Sequence, residues 1–142
     1  MSKVFCIGFM KTGTTSLGKA LEALGYKHTS FNEEIWEAYR DRDFLRVLDY
    51  MKDYDSADDL PWQKADMIPL LDKTFPGSRF IYLIRDEAAW MESVVAWTMK
   101  KTGEETNIQE YRTDFIAHRH FVDHYFSGER ASALLRIDIS KE

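Results

Sequence analysis

The stretch Gly8–Leu21, GFMKTGTTSLGKAL, follows the apolar run Val4–Ile7 and has the outline of a phosphate-binding loop with its lysine displaced. In the nucleoside-triphosphate form, G-x-x-x-x-G-K-[ST], the lysine follows the second glycine and the next hydroxyl holds magnesium. Gly8 and Gly13 keep the glycine spacing, but Gly13 is followed by Thr14, and the lysine is Lys11, two places earlier. A glycine-rich turn entering a helix still offers free backbone N–H groups and the positive end of the helix dipole, which together hold an anion. Thr14, Thr15 and Ser16 add hydroxyl donors and Lys11 a mobile cation. An ordinary glycine turn capped by Thr14 or Thr15 is the plainer alternative.

The rest of the chain limits what that anion is. With 142 residues the sequence fits one domain, 1–142, with one packed core. Its 44% hydrophobic and 14% aromatic content argues against disorder. The formal net charge of -5 gives no basic field for nucleic acid, so local groups must hold any anion. The single cysteine, Cys6, lies in an apolar run and suits a reducing cytoplasm. That run is too short to span a membrane and leads straight into the glycine loop.

Strands alternate with helices along the sequence. KVFCIGF reads as a strand, SLGKALEALG as a helix stopped at Gly25, and YKHTS as a second strand. Helical segments are expected from Asn32 to about Asp53 and over PWQKADMIPLLDKTF, up to Pro76-Gly77. RFIYLIRD is the clearest strand. A helix from about Glu87 to Lys101, another over Tyr111–Phe126, and a last strand in ALLRIDI complete the pattern. The expectation is an α/β three-layer sandwich around a mainly parallel central sheet, opened by a P-loop-like strand-loop-helix. Ligands of such sheets sit beyond the carboxyl ends of the strands, and Gly13, His28 and Arg85 fall at or near expected strand ends.

Arg85 bears on the metal question. Magnesium-dependent nucleotide enzymes of this architecture end an apolar strand in an aspartate that holds the metal, whereas FIYLI ends in Arg85. Arginine binds oxyanions directly and repels a cation. Asp86 suits a helix cap better than a metal. A structural ion pair is the plain reading of Arg85, and a solvated side chain that of Ser93.

FMKTGTTSL together with RFIYLIRDEAAWMESV resembles the sulfotransferase family, particularly its small globular branch, and the likeness continues through ADLPW and HRHFVDHYF to RASALLRIDIS, covering nearly the whole chain. The resemblance implies a donor, 3'-phosphoadenosine 5'-phosphosulfate, and a product, adenosine 3',5'-bisphosphate, with no metal required. It implies that Lys11, Thr12, Gly13, Thr14 and Thr15, with Ser16 beside them, hold the 5'-phosphosulfate, and that Arg85 and Ser93 hold the 3'-phosphate. Lys11 would also offset charge on the leaving phosphate.

Transfer further needs a base for the acceptor hydroxyl or amine. The resemblance favours Asp59, before Pro61 in DDLPW, which corresponds to an acidic residue before proline in similar small-branch sequences; His28 is second on its intrinsic pKa, and Glu33 and Asp58 stay open. His118, His120 and His124 have no companion ligand at metal spacing. Phe9, Trp62 and Trp97 are candidates to stack the adenine. Two other classes stand beside this reading: a P-loop nucleotide kinase-like enzyme, and a catalytically silent nucleotide- or anion-binding module. The acceptor, a small molecule or glycan, is not legible. Relatives in the resembling family continue past the last strand into a basic loop and a final helix, so the ending IDISKE leads us to expect weak nucleotide affinity, an uncovered part of the sheet, and self-association as a homo-oligomer or a longer natural form.

Overall fold

The structure is a computed structural model and describes residues 2–8, 14–102 and 108–138. Among the described residues five strands form one sheet in the order β2-β3-β1-β4-β5, every pair parallel. In chain order they are β1 (Val4–Cys6), β2 (His28–Thr29), β3 (Ser56–Ala57), β4 (Arg79–Ile84) and β5 (Leu134–Asp138). The helices are α1 (Thr14–Ala23), α2 (Glu33–Arg40), α3 (Phe44–Met51), α4 (Met67–Thr74), α5 (Glu87–Thr102) and α6 (Ile108–Tyr125).

Local chemistry sets the element ends. α1 stops at Gly25, whose φ of 95° suits a residue without a side chain, and Tyr26 N–H reaches back to the Leu21 carbonyl. The acidic stretch expected to be helical from Asn32 to Asp53 is two helices. Asn32 caps α2 by accepting from Ile35 N–H at 3.2 Å, and Asp43 caps α3 by accepting from Arg46 N–H at 3.3 Å. PWQKAD is not helical; turns occupy it, and α4 begins only at Met67.

β3 was not legible in the sequence. It has two residues inside DYDSADDL, with no alternation to announce it. Yet it lies between β1 and β2, pairing Val4 with Ser56 and His28 with Ser56.

Each strand gives alternate residues to the two faces of the sheet. Phe5, Ile7, Phe80 and Tyr82 point to the larger core, which α2, α3, α4 and α6 supply with Ile35, Val47, Met51, Met67, Leu71 and Val122, joined by Phe126 just past α6. Val4 and Cys6 point the other way, against Leu17 and Leu21 of α1. The right-handed crossover rule explains the division. Only the β1-to-β2 connection runs toward the β2 edge, so only its helix lands on that face.

The α1 face is thinly covered at its far edge. Leu135 and Ile137 of β5 pair in register with Ile81 and Leu83 and remain exposed. The apolar positions from Trp36 to Leu48 do not cover this region, because they lie on α2 and α3, which pack on the opposite face.

The asymmetry predicts unequal mutational costs. Phe80→Ala, emptying a fully buried site between Phe5 and Phe126, should cost about 3–5 kcal/mol in denaturant unfolding. Leu135→Ser should change stability by no more than about 0.5 kcal/mol.

Candidate functional site

The strand order reverses at β1. The chain leaves β1 toward β2, returns to β3, and then crosses to β4 on the other side, so the carboxyl end of β1 is a topological switch point flanked by the ends of β3 and β4. Crevices at such points receive ligands in α/β sheets.

Two bonds hold the end of β1. Ile7 N–H donates to the Ile81 carbonyl at 2.9 Å, and His118 Nε2–H, from α6, donates to the Ile7 carbonyl at 2.6 Å. His118 is buried, and burial, together with the positive charge of Lys64, pushes its pKa below the ordinary imidazole value against the opposing effect of the Ile7 bond. The imidazole is thereby kept a neutral donor. Lys11, Thr12, Gly13 and Phe9 lie outside the described residues.

α1 resumes the site at Thr14. Thr15 and Ser16 are exposed in its first turn, and no acidic side chain occupies that turn to compete for the helix N-terminus.

On one flank, Arg85 follows directly on β4 and is half-buried. Asp86 accepts from Ala89 N–H at 3.1 Å, the capping role expected of it. Ser93 is half-buried in α5.

On the other flank, Asp58-Asp59 follow directly on β3, so although β4 runs into an arginine, two aspartates stand just past the end of a strand beside β1. Their environments differ. Asp58 is buried and accepts from His28 Nε2–H at 2.9 Å. Asp59 has a backbone φ of 68°, a left-handed conformation that aspartate tolerates better than most residues, and it precedes a cis Leu60–Pro61 bond. Its carboxylate accepts from Leu60 N–H at 2.7 Å. Desolvation raises its pKa, the Leu60 bond opposes this, and neighbouring Asp58 adds to the rise.

His28 opens the two-residue strand β2, one place before its carboxyl end. Its side chain is 4% exposed and both ring nitrogens are engaged, Nε2 by Asp58 and Nδ1 by the Ser56 hydroxyl at 2.6 Å. An imidazole so enclosed has no path to an acceptor in this arrangement. The sequence signal that could have distinguished Asp59 from His28 is Gly18, whose missing side chain makes room for the ring.

The remaining candidates separate by burial. Trp62 is fully buried and stacks on Tyr50 at 6.2 Å, which removes it as an adenine platform in this arrangement. Trp90 and Val94 pack with Phe115 in a core between α5 and α6, and Trp97 is half-buried in α5. His120 and His124 are exposed, and Glu33 is exposed at the start of α2. Among the described residues no three His, Cys, Asp or Glu side chains converge to hold a metal ion.

A parallel sheet in this order, with a strand-loop-helix at its central strand, defines a P-loop-like α/β fold. Similar solved structures include a gluconokinase from Sinorhizobium meliloti 1021 (TM-score 0.53, 15% identity, covering 99% of this chain and 84% of that one). Others are the shikimate kinase from Bacteroides thetaiotaomicron (TM-score 0.55, 12% identity, 96% and 85%) and a putative kinase from Chloroflexus aurantiacus j-10-fl (TM-score 0.55, 11% identity, 99% and 89%). At these identities the likeness is one of fold. The family model described as "Sulfotransferase domain" matches residues 3–132, and the chain belongs to that family. No curated protein matches it in sequence.

Two pH dependences follow. His118 has a lowered pKa in the fold, so its contribution to stability is present above the unfolded imidazole value and is lost as pH falls from there through the lower folded value. His118→Gln, whose amide can still reach the Ile7 carbonyl, should flatten the decline in Tm between about pH 7 and pH 5. Asp59 is the opposite case: with a raised pKa, its contribution is present below the ordinary carboxylate range and lost as pH rises through the folded value. Asp59→Asn should therefore raise Tm at neutral pH, with the gain vanishing in acid.

Proposed function

We propose that this member of the sulfotransferase domain family moves a sulfuryl group from 3'-phosphoadenosine 5'-phosphosulfate to a hydroxyl or amine of a small-molecule or glycan acceptor, without a metal. The observation that carries the reading is the pairing of flanks at the end of β1: an N-terminal helix turn clear of acidic side chains and an arginine on one side, and a desolvated aspartate on the other.

The donor set fits a nucleotide of this kind. Exposed hydroxyls at a helix N-terminus and a half-buried guanidinium are oxyanion ligands, and the same end of the sheet offers them from β1–α1 and from β4–α5. Lys11, Thr12, Gly13, Thr14, Thr15 and Ser16 would hold the 5'-phosphosulfate, and Arg85 with Ser93 the 3'-phosphate. The bound donor supplies a sulfuryl group already activated on a phosphoanhydride. Lys11 and the loop N–H groups would offset charge gathering on the departing phosphate. Asp59 would take the acceptor's proton on a carboxylate oxygen, a role its raised pKa suits, since a base poised nearer neutrality is more effective. The buried, unpaired Cys6, its thiol pushed up to about 12 by burial and then by Asp58, suits a reducing cytoplasm. Among the described residues no helix is long and apolar enough to cross a membrane.

The strand-end aspartates favour a second reading, a magnesium-dependent P-loop kinase-like enzyme. Against it, Asp58 is bound to His28 and Asp59 is desolvated, neither condition suiting a carboxylate that must hold a hydrated cation. Thermal shift separates the two. Adenosine 3',5'-bisphosphate should raise Tm equally with and without EDTA, whereas stabilisation only by ATP with magnesium would select the kinase.

Roles should separate in kinetics. Lys11→Ala is expected to lower kcat more than it weakens donor binding, and Arg85→Ala chiefly to weaken nucleotides carrying a 3'-phosphate. Asp59→Asn should lower kcat about 10²–10⁴-fold with donor affinity retained. A retained kcat in Asp59→Asn would assign the base elsewhere.

A further inference from the structure

His28, Ser56 and Asp58 form a buried polar group that no step above uses. Such groups are costly to bury unless bonded, and these satisfy one another: Nε2–H of His28 donates to Asp58 at 2.9 Å, and Nδ1 meets the Ser56 hydroxyl at 2.6 Å. The tautomer follows from chemistry. An ionised carboxylate only accepts, so Nε2 carries the proton and Nδ1 can accept from Ser56.

The ring also meets α1. A Cβ placed on Gly18 would lie 2.6 Å from His28 Nε2 and 3.1 Å from its Cδ2, so any side chain there would displace either the ring or the helix. Glycine inside a helix is otherwise a destabilising choice. Its presence lets the backbone of α1 rest on the imidazole edge, one turn beyond Thr14 and Thr15. The same imidazole binds Asp58, whose backbone N–H donates to the Thr29 carbonyl at 3.1 Å and whose successor is Asp59. One side chain therefore touches both halves of the site. An apolar residue of similar volume would fill the space without fixing the direction of Asp58.

We propose that His28 is a positioning residue that registers α1 against the end of β3, so that the anion-holding helix turn and the Asp59 carboxylate stand at a set separation. The proposal rests on the reading of α1 and Asp59 given above. In-line transfer depends on that separation, and misplacement by about 1 Å can cost on the order of 10²-fold in rate.

The test uses Gly18→Ala, His28→Ala, His28→Gln and the double variant Gly18→Ala/His28→Ala in the full chain. Gly18→Ala should weaken adenosine 3',5'-bisphosphate binding and lower kcat. In the double variant the added methyl has room, so binding should recover while kcat stays low, roughly 100-fold below wild type, because Asp58 has lost its partner. His28→Gln, whose amide can donate to Asp58, should recover kcat in part. Independent effects of the two single substitutions on binding, or a normal kcat in folded His28→Ala, would overturn the proposal and leave His28 a packing residue. Amide hydrogen exchange reads the same registration without any ligand: in His28→Ala, exchange should quicken together at Gly18–Lys19, inside α1, and at Asp58, whose N–H is bonded to the Thr29 carbonyl. Quickening at one site only also overturns it. If wild type binds no adenosine 3',5'-bisphosphate but the exchange effects are paired, the assigned function fails while the registration stands.

Discussion

The site depends on where the short central strand β1 ends. β1 has three residues, is buried on both faces, and is flanked by strands that arrive from opposite directions in the chain order. Its carboxyl end is fixed by the ladder bond from Ile7 to Ile81 and by His118 from the long helix behind it. Were that end to shift, the glycine loop would start from a different place. The turn of α1, Arg85 and Asp59 would then no longer address a common point.

The sequence made the outer framework legible because its signals were long or chemically marked. RFIYLIRD is apolar enough to read as a strand, Gly25 ends α1 as a left-handed cap, and the glycine spacing after Val4–Ile7 announces an anion loop. The family match over residues 3–132 agrees with the resemblance carried by those same stretches. What stayed illegible was short or non-local. β3 has two residues among aspartates, and only its pairing with both β1 and β2 reveals it. The burial of His28 is equally non-local, since it arises from Gly18 on one side and residues near 56–58 on the other.

The hidden strand β3 carries a chemical consequence. A strand-end aspartate is the usual metal-holding device in magnesium-dependent nucleotide enzymes of this architecture, and Asp58-Asp59 follow directly on such an end. One is held by an imidazole, and the other is raised in pKa mainly by loss of water, which is the ground on which we propose a proton-handling rather than a metal-holding role for this strand end.

The all-parallel order also governs how the chain must assemble. β1 pairs with β3 about 50 residues later and with β4 about 75 residues later, and no hairpin offers it an earlier partner among the described strands. At ribosomal rates of about 5–20 residues per second, the apolar segment around Phe5 and Ile7 waits roughly 4–15 s before Arg79–Ile81 exists. Parallel pairing at such separation is slow to nucleate even then, because loop closure precedes any reward from contact. The strand that anchors the finished site is thus the one longest without a strand partner in the nascent chain, with only Leu17 and Leu21 of α1 available to cover one of its faces in the meantime.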